Sequence, residues 1–344
     1  MKQIFLFILL VIIPFITVKS QDGEMVAITF QSSSIENNLI GESAEINVGV
    51  FLPPGYYEKL SKRYPVIYWL HGFSGWKNTS GKSGWDEERI NSLIKKMISG
   101  EIKPMIIVMP DSSNKFGGSF YANSVTTGNW EDLIAFEVPG FIDKNYRTLP
   151  KPESRGIAGH SMGGSGAMRI AMKHSDVFSA IYAYNSCCLS NLGFLFNKKV
   201  IEETINIKTW EDRLKASFYA KGTLAISAAY SPNSEKALFY LDLPYKLMGD
   251  SIKINENVMA KWTANTPLWM IDQNISNLKK LRGIIISVGT MDPYKQGSEA
   301  FSLALNKLKI DHYFDVFKGG HGDKNNERIL NNIVPYFSKT LAFE

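Results

Sequence analysis

Two kinds of apolar patterning divide this chain. Near its start, Met25–Phe30 and Glu45–Leu52 read as strands, and the second alternates apolar with small or polar residues, as half-buried antiparallel strands do. Pro53-Pro54-Gly55 closes it with turn chemistry. From residue 64 the character changes. Tyr64–Leu70, Met105–Met109, Ile157–Ala158, Ile181–Tyr184, Ile284–Val288 and Tyr313–Phe317 are short apolar runs without alternation, the signature of strands buried on both faces. Helical patterns separate them: Glu87–Ile98, Trp130–Lys144, Gly164–His174, Ser298–Leu308 and Glu327–Leu341. Strand–helix alternation predicts an α/β fold, a mostly parallel central sheet with helices on both faces.

The alternation breaks between about residues 188 and 281. This stretch is rich in aromatics, Met and Pro, among them Trp210, Phe218, Tyr230, Tyr245, Trp262 and Trp269. Thr223–Ser227 inside it looks strand-like and could continue the sheet. The rest is too long for a plain connection and is expected to form a cap inserted over the C-terminal edge of the sheet. Most of its aromatics should pack the cap's own core, with a minority facing a cleft.

Composition adds bounds. The chain has 344 residues, 44 % of them hydrophobic and 21 % charged, which suits one well-cored globular domain, residues 21–344, with an insertion. A net charge of +5 spread without any dense Lys/Arg tract gives no nucleic-acid footprint. Met1-Lys2-Gln3 followed by the apolar Ile4–Val18 reads as a signal peptide, residues 1–20, cleaved after Ser20, so the mature chain is expected to be secreted or periplasmic. A retained anchor is the alternative, although the apolar run is short for a span. Cys187 and Cys188 are the only cysteines and are adjacent, a spacing that strains a disulfide; they read as two small buried residues. No Cys/His cluster has zinc-site spacing.

The chemistry concentrates in Gly159-His160-Ser161-Met162-Gly163, set between a short strand and a small-residue helix. G-x-S-x-G in that setting is a nucleophile elbow, whose glycines clear space for a tight turn that exposes the serine. A serine hydroxyl needs a base, and the base needs a third group to fix its tautomer. Of the five histidines, His321 lies in the glycine-flanked loop Lys318–Asp323 just after the last strand and is the candidate base. His71 follows a strand and reads as structural, His160 points away on the elbow, His174 ends a helix, and His312 begins a strand. The acid should fall between serine and histidine in chain order. Asp292 in Gly289-Thr290-Met291-Asp292-Pro293 is the candidate, ahead of Asp272 and Asp323. Oxyanion donors are expected from the backbone N–H groups of Met162 and of Phe73, the latter after Leu70-His71-Gly72.

These segments resemble the esterase D branch of the α/β-hydrolases, which takes in S-formylglutathione hydrolases, feruloyl and acetyl xylan esterases, and mycolyltransferases. The residues carrying the resemblance are Leu70-His71-Gly72, Val108–Asp111, Ser119-Phe120-Tyr121, Trp130-Glu131-Asp132, Arg155–Gly164, Gly289–Asp292 and Gly320-His321. The resemblance implies an α/β-hydrolase fold and serine-dependent ester cleavage through an acyl-enzyme, with no cofactor. It also implies that Asp111, Tyr121 and Asn123 lie near the cleft mouth as substrate-binding residues, with loop hydrogen bonding as the alternative. The chain departs from the family at Cys187-Cys188, where members often carry a Ser-Gly turn, and in its longer cap.

The expected activity is therefore a secreted carboxylic ester hydrolase acting on feruloyl or acetyl esters of carbohydrates. Acyl transfer to a sugar or other alcohol and a non-catalytic surface binding protein are the alternatives. The signal peptide argues against formylglutathione, a cytosolic thioester. Nothing in the sequence fixes the oligomeric state. Asn78-Thr79-Ser80 and Asn274-Ile275-Ser276 are glycosylation sequons, meaningful only in a eukaryotic source.

Overall fold

The computed structural model describes residues 23–75, 85–190, 192–249 and 251–344. The N-terminal apolar run with its expected cleavage site, and the Asn78 sequon, lie outside them. Among the described residues, β1 (Glu24–Gln31), β2 (Glu45–Leu52), β3 (Val66–Leu70), β4 (Ile106–Pro110), β5 (Arg155–His160), β6 (Ala180–Tyr184), β7 (Gly283–Gly289) and β8 (Tyr313–Phe317) form one sheet. Its order is β1-β2-β4-β3-β5-β6-β7-β8. The β1–β2 and β2–β4 pairs are antiparallel, and every later pair is parallel.

The runs without alternation are buried on both faces because both faces are covered. Val66, Tyr68 and Leu70 of β3 join one core, and Ile67 and Trp69 join the other. Helix α1 (Glu87–Ile98) packs Ile90, Leu93 and Met97 into the second core. It starts on the Asp86 carboxylate, which accepts the Arg89 N–H at 2.8 Å. Glu87 and Glu88 in its first turn and Lys95 and Lys96 in its last complement the helix dipole. On the opposite face lie α2, a continuous run through Trp130–Asp132, Leu133–Glu137 and Val138–Asn145, and α3 (Met162–Lys173), which follows β5 directly.

Between β6 and β7, residues 185–282 leave the sheet and build a mainly helical insertion. It contains α4 (Lys198–Asn206), α5 (Trp210–Lys215), α6 (Phe218–Tyr230), a short antiparallel ribbon (Tyr245–Met248 with Ser251–Ile254), α7 (Glu256–Ala264), α8 (Pro267–Met270) and α9 (Ile275–Lys280). Its own core forms around Trp262, fully buried with its Nε1–H donated to Ser231 Oγ at 3.0 Å. Phe196 packs against Trp262 and Tyr245, and Trp210 against Phe116 and Phe239. One expectation is corrected here: Thr223–Ser227 is not a strand but the middle of α6. Ser217 caps that helix, and residues 222–230 are buried all round, so no amphipathic period marks it in the sequence. After β7, α10 (Lys295–Lys307) leads to β8. A last helix, α11, runs through Asn325–Arg328, Ile329–Ile333 and Val334–Thr340 and covers the α1 face.

The register fixes what matters for a site. Leu70 pairs with Gly159, His160 with Tyr184, Tyr184 with Ser287, and Gly289 with Phe317. The C-terminal ends of β3, β5, β6, β7 and β8 therefore lie side by side, and the loops that follow them meet. Behind this edge, Glu131 of α2 is buried against α3. Its carboxylate takes Arg169 Nε at 3.1 Å, His174 Nε2 at 3.2 Å and the Lys173 ammonium.

Burial alone would raise the Glu131 carboxyl, but the hydrogen bond from His174 and the charges of Arg169 and Lys173 outweigh it and hold the group at about 2. A carboxyl depressed in the folded state stabilises the fold above its ordinary value of 4.5, and the contribution fades as pH falls towards about 2. Glu131→Gln is expected to cost about 3 kcal/mol at pH 7 and to flatten the acid limb of stability between those values. Urea midpoints of both proteins at pH 7, 4 and 2.5 check this; equal differences at all three would contradict it.

Candidate active site

Ser161 sits where β5 turns into α3, with φ 58° and ψ −117°. For a residue with a Cβ this backbone costs about 1–3 kcal/mol and persists only where its surroundings over-determine it. They do so here. The Ser161 N–H donates to the Tyr184 carbonyl at 3.1 Å, and its own carbonyl accepts from Ser165 N at 3.2 Å and Cys187 N at 3.3 Å. The turn also closes against its neighbours with no room for side chains. A Cβ on Gly159 would lie 2.3 Å from the Gly163 carbonyl, and one on Gly163 only 2.0 Å from the Leu70 oxygen.

The loops after β7 and β8 bring two more side chains to this turn. His321 Nε2 lies 2.9 Å from Ser161 Oγ, and His321 Nδ1 lies 2.7 Å from Asp292 Oδ2. The other Asp292 oxygen accepts the Tyr294 N–H at 2.8 Å, so a fully buried carboxylate is held at both oxygens. In this arrangement Nδ1 carries the imidazole proton and Nε2 is free to accept one from the serine. The other acids considered lie elsewhere. Asp272 is exposed in the turn before α9, and Asp323 accepts the Gly320 N–H, shaping the loop rather than touching the ring.

Phe73 and Met162 flank the serine on the β3 side. Gly72 lets that loop approach so closely that a Cβ there would stand 3.3 Å from Ser161 Cβ. Among the described residues, no acceptor meets the backbone N–H of Phe73 or of Met162. Two such donors beside a hydroxyl hydrogen-bonded to a histidine can stabilise negative charge on an oxygen attached to a carbon that the hydroxyl attacks.

Two residues at the site escape the sequence reading. His160 does not simply point away. Its Nε2 meets the His321 carbonyl at 2.6 Å, and its ring lies 4.8 Å from the His321 ring. Burial, with His321 adding to it, pushes His160 down to about 4, so at neutral pH it is an uncharged donor. Asn185, fully buried at the end of β6, donates to the Gly320 and His321 carbonyls at 3.0 and 2.8 Å and accepts the Gly289 N–H at 2.9 Å. One amide thereby ties the acid-bearing and histidine-bearing strands to the strand beside the serine.

The residues expected at the cleft mouth are placed differently. Tyr121 is fully buried, its hydroxyl donating to the His71 carbonyl at 2.9 Å and its ring filling the space a Cβ on Gly166 would need. Asn123 uses its side-chain oxygen to accept the Glu131 and Asp132 N–H groups at the start of α2. Asp111 stands 3.6 Å from His71 Nε2 and borders a cavity of 290 Å³ with Glu42, Lys115 and Trp130, whose lining includes neither Ser161 nor His321. Each makes loop hydrogen bonds, Asp111 by accepting the Ser113 N–H at 2.9 Å, which is the alternative the sequence left open. His71 is likewise structural, its Nε2 accepting the Ser112 N–H at 2.9 Å.

Cys187 and Cys188 are free and buried just past β6. Burial and the neighbouring Cys187 push the Cys188 thiol well up, away from thiolate reactivity. Among the described residues, no group of three or more His, Cys, Asp or Glu side chains is placed to hold a metal ion, and no helix is long and apolar enough to cross a membrane.

Residues 42–337 match the model of the Esterase family. Over 155 residues the chain is 31 % identical to an esterase of Mycobacterium tuberculosis, a match covering 44 % of this chain and 30 % of that relative, so the chain spans under a third of its length. Among solved structures, a ferulic acid esterase superposes with a TM-score of 0.62 at 21 % identity, covering 93 % of this chain and 99 % of that one. S-formylglutathione hydrolase from Staphylococcus aureus gives 0.59 at 16 % identity, over 92 % and 99 %. The feruloyl esterase module from Clostridium thermocellum gives 0.55 at 17 %, over 94 % and 91 %. These likenesses establish the α/β fold.

The tightness of the turn is directly testable. Gly163→Ala forces β3 and α3 apart and is expected to cost about 3 kcal/mol or more. Gly140→Ala, in α2 with nothing within 4 Å of the new Cβ, is expected to stabilise by about 0.5–1 kcal/mol. Chemical denaturation of the two variants beside the parent gives both signs, and a neutral Gly163→Ala would show that the turn tolerates a side chain.

Proposed function

The chain belongs to the Esterase family, and on that premise we propose that it hydrolyses carboxylic esters with Ser161 as nucleophile, His321 as general base and acid, and Asp292 as the group that orients the histidine. The observation that carries this reading is the continuous hydrogen-bonded line Ser161–His321–Asp292 at 2.9 and 2.7 Å, beside the N–H groups of Phe73 and Met162, which meet no acceptor among the described residues. Ser161 Oγ attacks the ester carbonyl while His321 Nε2 takes its proton. The buried Asp292 carboxylate stabilises the imidazolium, and the Phe73 and Met162 N–H groups receive the oxyanion. The carbon–oxygen bond to the alcohol then breaks as His321 returns the proton to the departing oxygen, leaving an acyl-serine. Water attacks that ester with His321 again as base, releasing the acid and restoring Ser161.

For substrate we propose feruloyl or acetyl esters of carbohydrates, and for location the outside of the cytoplasm. The first is supported by the feruloyl esterases among the structural neighbours and by aromatic side chains around the serine. Phe218 is 57 % exposed and packs edge-on against Phe73. The second rests on the apolar run Ile4–Val18.

The test is hydrolysis of p-nitrophenyl acetate, methyl ferulate and acetylated xylan by the purified chain beside Ser161→Ala. Loss of about 10⁴-fold or more in kcat with unchanged thermal stability is expected for the variant. Ser161→Ala with full activity would sink the mechanism. Asn185→Ala should lower kcat by about 10–100-fold with little change in KM, because it frees the His321 loop without touching substrate. An Asn185→Ala enzyme with unchanged kcat would remove that residue from the positioning of His321.

A further inference from the structure

A cavity of 520 Å³ opens between α8, the start of α10 and the loop that follows β6. Its walls include Cys188, Ser190, Leu268, Trp269, Tyr294 and Gln296. Two contacts bind it to the reacting groups. The Tyr294 ring stands edge-on to the His321 imidazole with centroids 5.0 Å apart, and the Tyr294 N–H holds Asp292. On the other wall, Cys188 follows the residue whose N–H meets the Ser161 carbonyl.

The sheet order says on which side of the serine this cavity lies. Phe73 and Met162 follow β3 and β5, while Cys188 and Tyr294 follow β6 and β7, and the strands run β3-β5-β6-β7. The cavity is therefore across Ser161 from the two oxyanion donors, on the histidine flank. Ester cleavage imposes directions on the substrate. The carbonyl oxygen points to the donors, and the leaving oxygen must lie within reach of His321 Nε2 to collect its proton. Whatever is attached to the leaving oxygen extends to the histidine flank.

We propose that this cavity receives the alcohol portion of the ester, and that its occupant is a neutral sugar ring seated on Trp269; the inference rests on the hydrolytic reading of Ser161 and His321. The chemistry of the walls selects that occupant. Among the described residues, no Lys, Arg, Asp or Glu lines the cavity, so a phosphorylated or carboxylated alcohol finds no counter-charge from them. Trp269 is 60 % exposed, a large apolar face left uncovered beside the opening. Ser190 and Gln296 offer hydroxyl and amide partners around it, the mix of one flat aromatic and a few convergent polar groups that orients a hydroxylated ring. Because α8 belongs to the insertion and Tyr294 to the acid loop, the subsite joins this chain's own cap to its catalytic edge.

The experiment pairs a binding readout with a selectivity readout. Intrinsic fluorescence of the Ser161→Ala protein is titrated with xylotriose, and kcat/KM is measured for acetylated xylotriose and for p-nitrophenyl acetate. Trp269→Ala is expected to abolish the fluorescence change and to lower the ratio of the two kcat/KM values about tenfold, mainly through KM for the sugar ester. Gln296→Ala should lower the ratio less, in the same direction. An unchanged ratio in Trp269→Ala, or no xylotriose response, would overturn the subsite. Ser161-dependent cleavage of the aryl acetate without sugar binding would do so while leaving the hydrolytic mechanism standing. Trp269-dependent xylotriose binding by a chain that cleaves neither ester would support the subsite and fail the mechanism.

Discussion

The Cα of Gly163 comes so near the end of β3 that a single added carbon would fall 2.0 Å from the Leu70 carbonyl oxygen. That approach is possible because Leu70 and Gly159 are register partners in adjacent parallel strands, and because the chain between Gly159 and Gly163 folds back with Ser161 at φ 58°. Several consequences follow from this one close contact. It brings the loop carrying Phe73 to the flank of the serine. It starts α3 at once, so that the Met162 N–H is left at a helix N-terminus without an intrahelical acceptor. It also lifts Ser161 Oγ out of the sheet edge to where the loop after β8 can reach it. The strain of the serine backbone, of order 1–3 kcal/mol, is offset by the hydrogen bonds to Tyr184 and Cys187 and by the packing of α3.

On the far side of the serine the problem is different, because His321 lies on a glycine-flanked loop and its side chain is about a third exposed. A loop of that kind would blur the 2.9 Å contact to Ser161 unless its backbone were held. The His321 carbonyl accepts from both Asn185 and His160, and the Gly320 N–H is taken by Asp323. These bonds act on the backbone and leave the imidazole free to exchange a proton. Keeping His160 neutral by burial matters for the proposed mechanism, since a second cation 4.8 Å away would disfavour an imidazolium at His321.

Much of this was legible in the chain. Strand cores show as apolar runs, and Ser161, Asp292 and His321 each follow such a run and are set among turn residues, which local sequence reveals. Their chain order matched one superfamily pattern. Asn185 and His160 were not legible as positioning groups because their partners are backbone atoms more than 100 residues away. No local pattern encodes such contacts. Thr223–Ser227 misled for a related reason: a helix buried on all sides loses its amphipathic period, and β-branched residues then read as strand. Tyr121 and Asn123 show the limit of carrying roles across a resemblance. The residue types are present, but a buried ring against Gly166 and an amide capping α2 serve the scaffold.

On the proposed hydrolytic reading, specificity by contrast falls to the part of the chain where the pattern is least regular. The catalytic edge is built from strand ends whose spacing the sheet fixes, so it offers little freedom to distinguish one ester from another. The insertion between β6 and β7 is free of that constraint. It contributes Phe218 against Phe73 on the oxyanion side and Trp269 over the cavity on the histidine side. Both aromatics stay exposed although the insertion buries Trp262 completely, so the segment has apolar capacity that it does not spend on its own core. An enzyme that acts on the transition state through fixed backbone donors gains selectivity only from contacts made with the rest of the substrate. On the proposed reading those contacts fall to Phe218 and Trp269, one for each direction in which the ester leaves the carbonyl carbon.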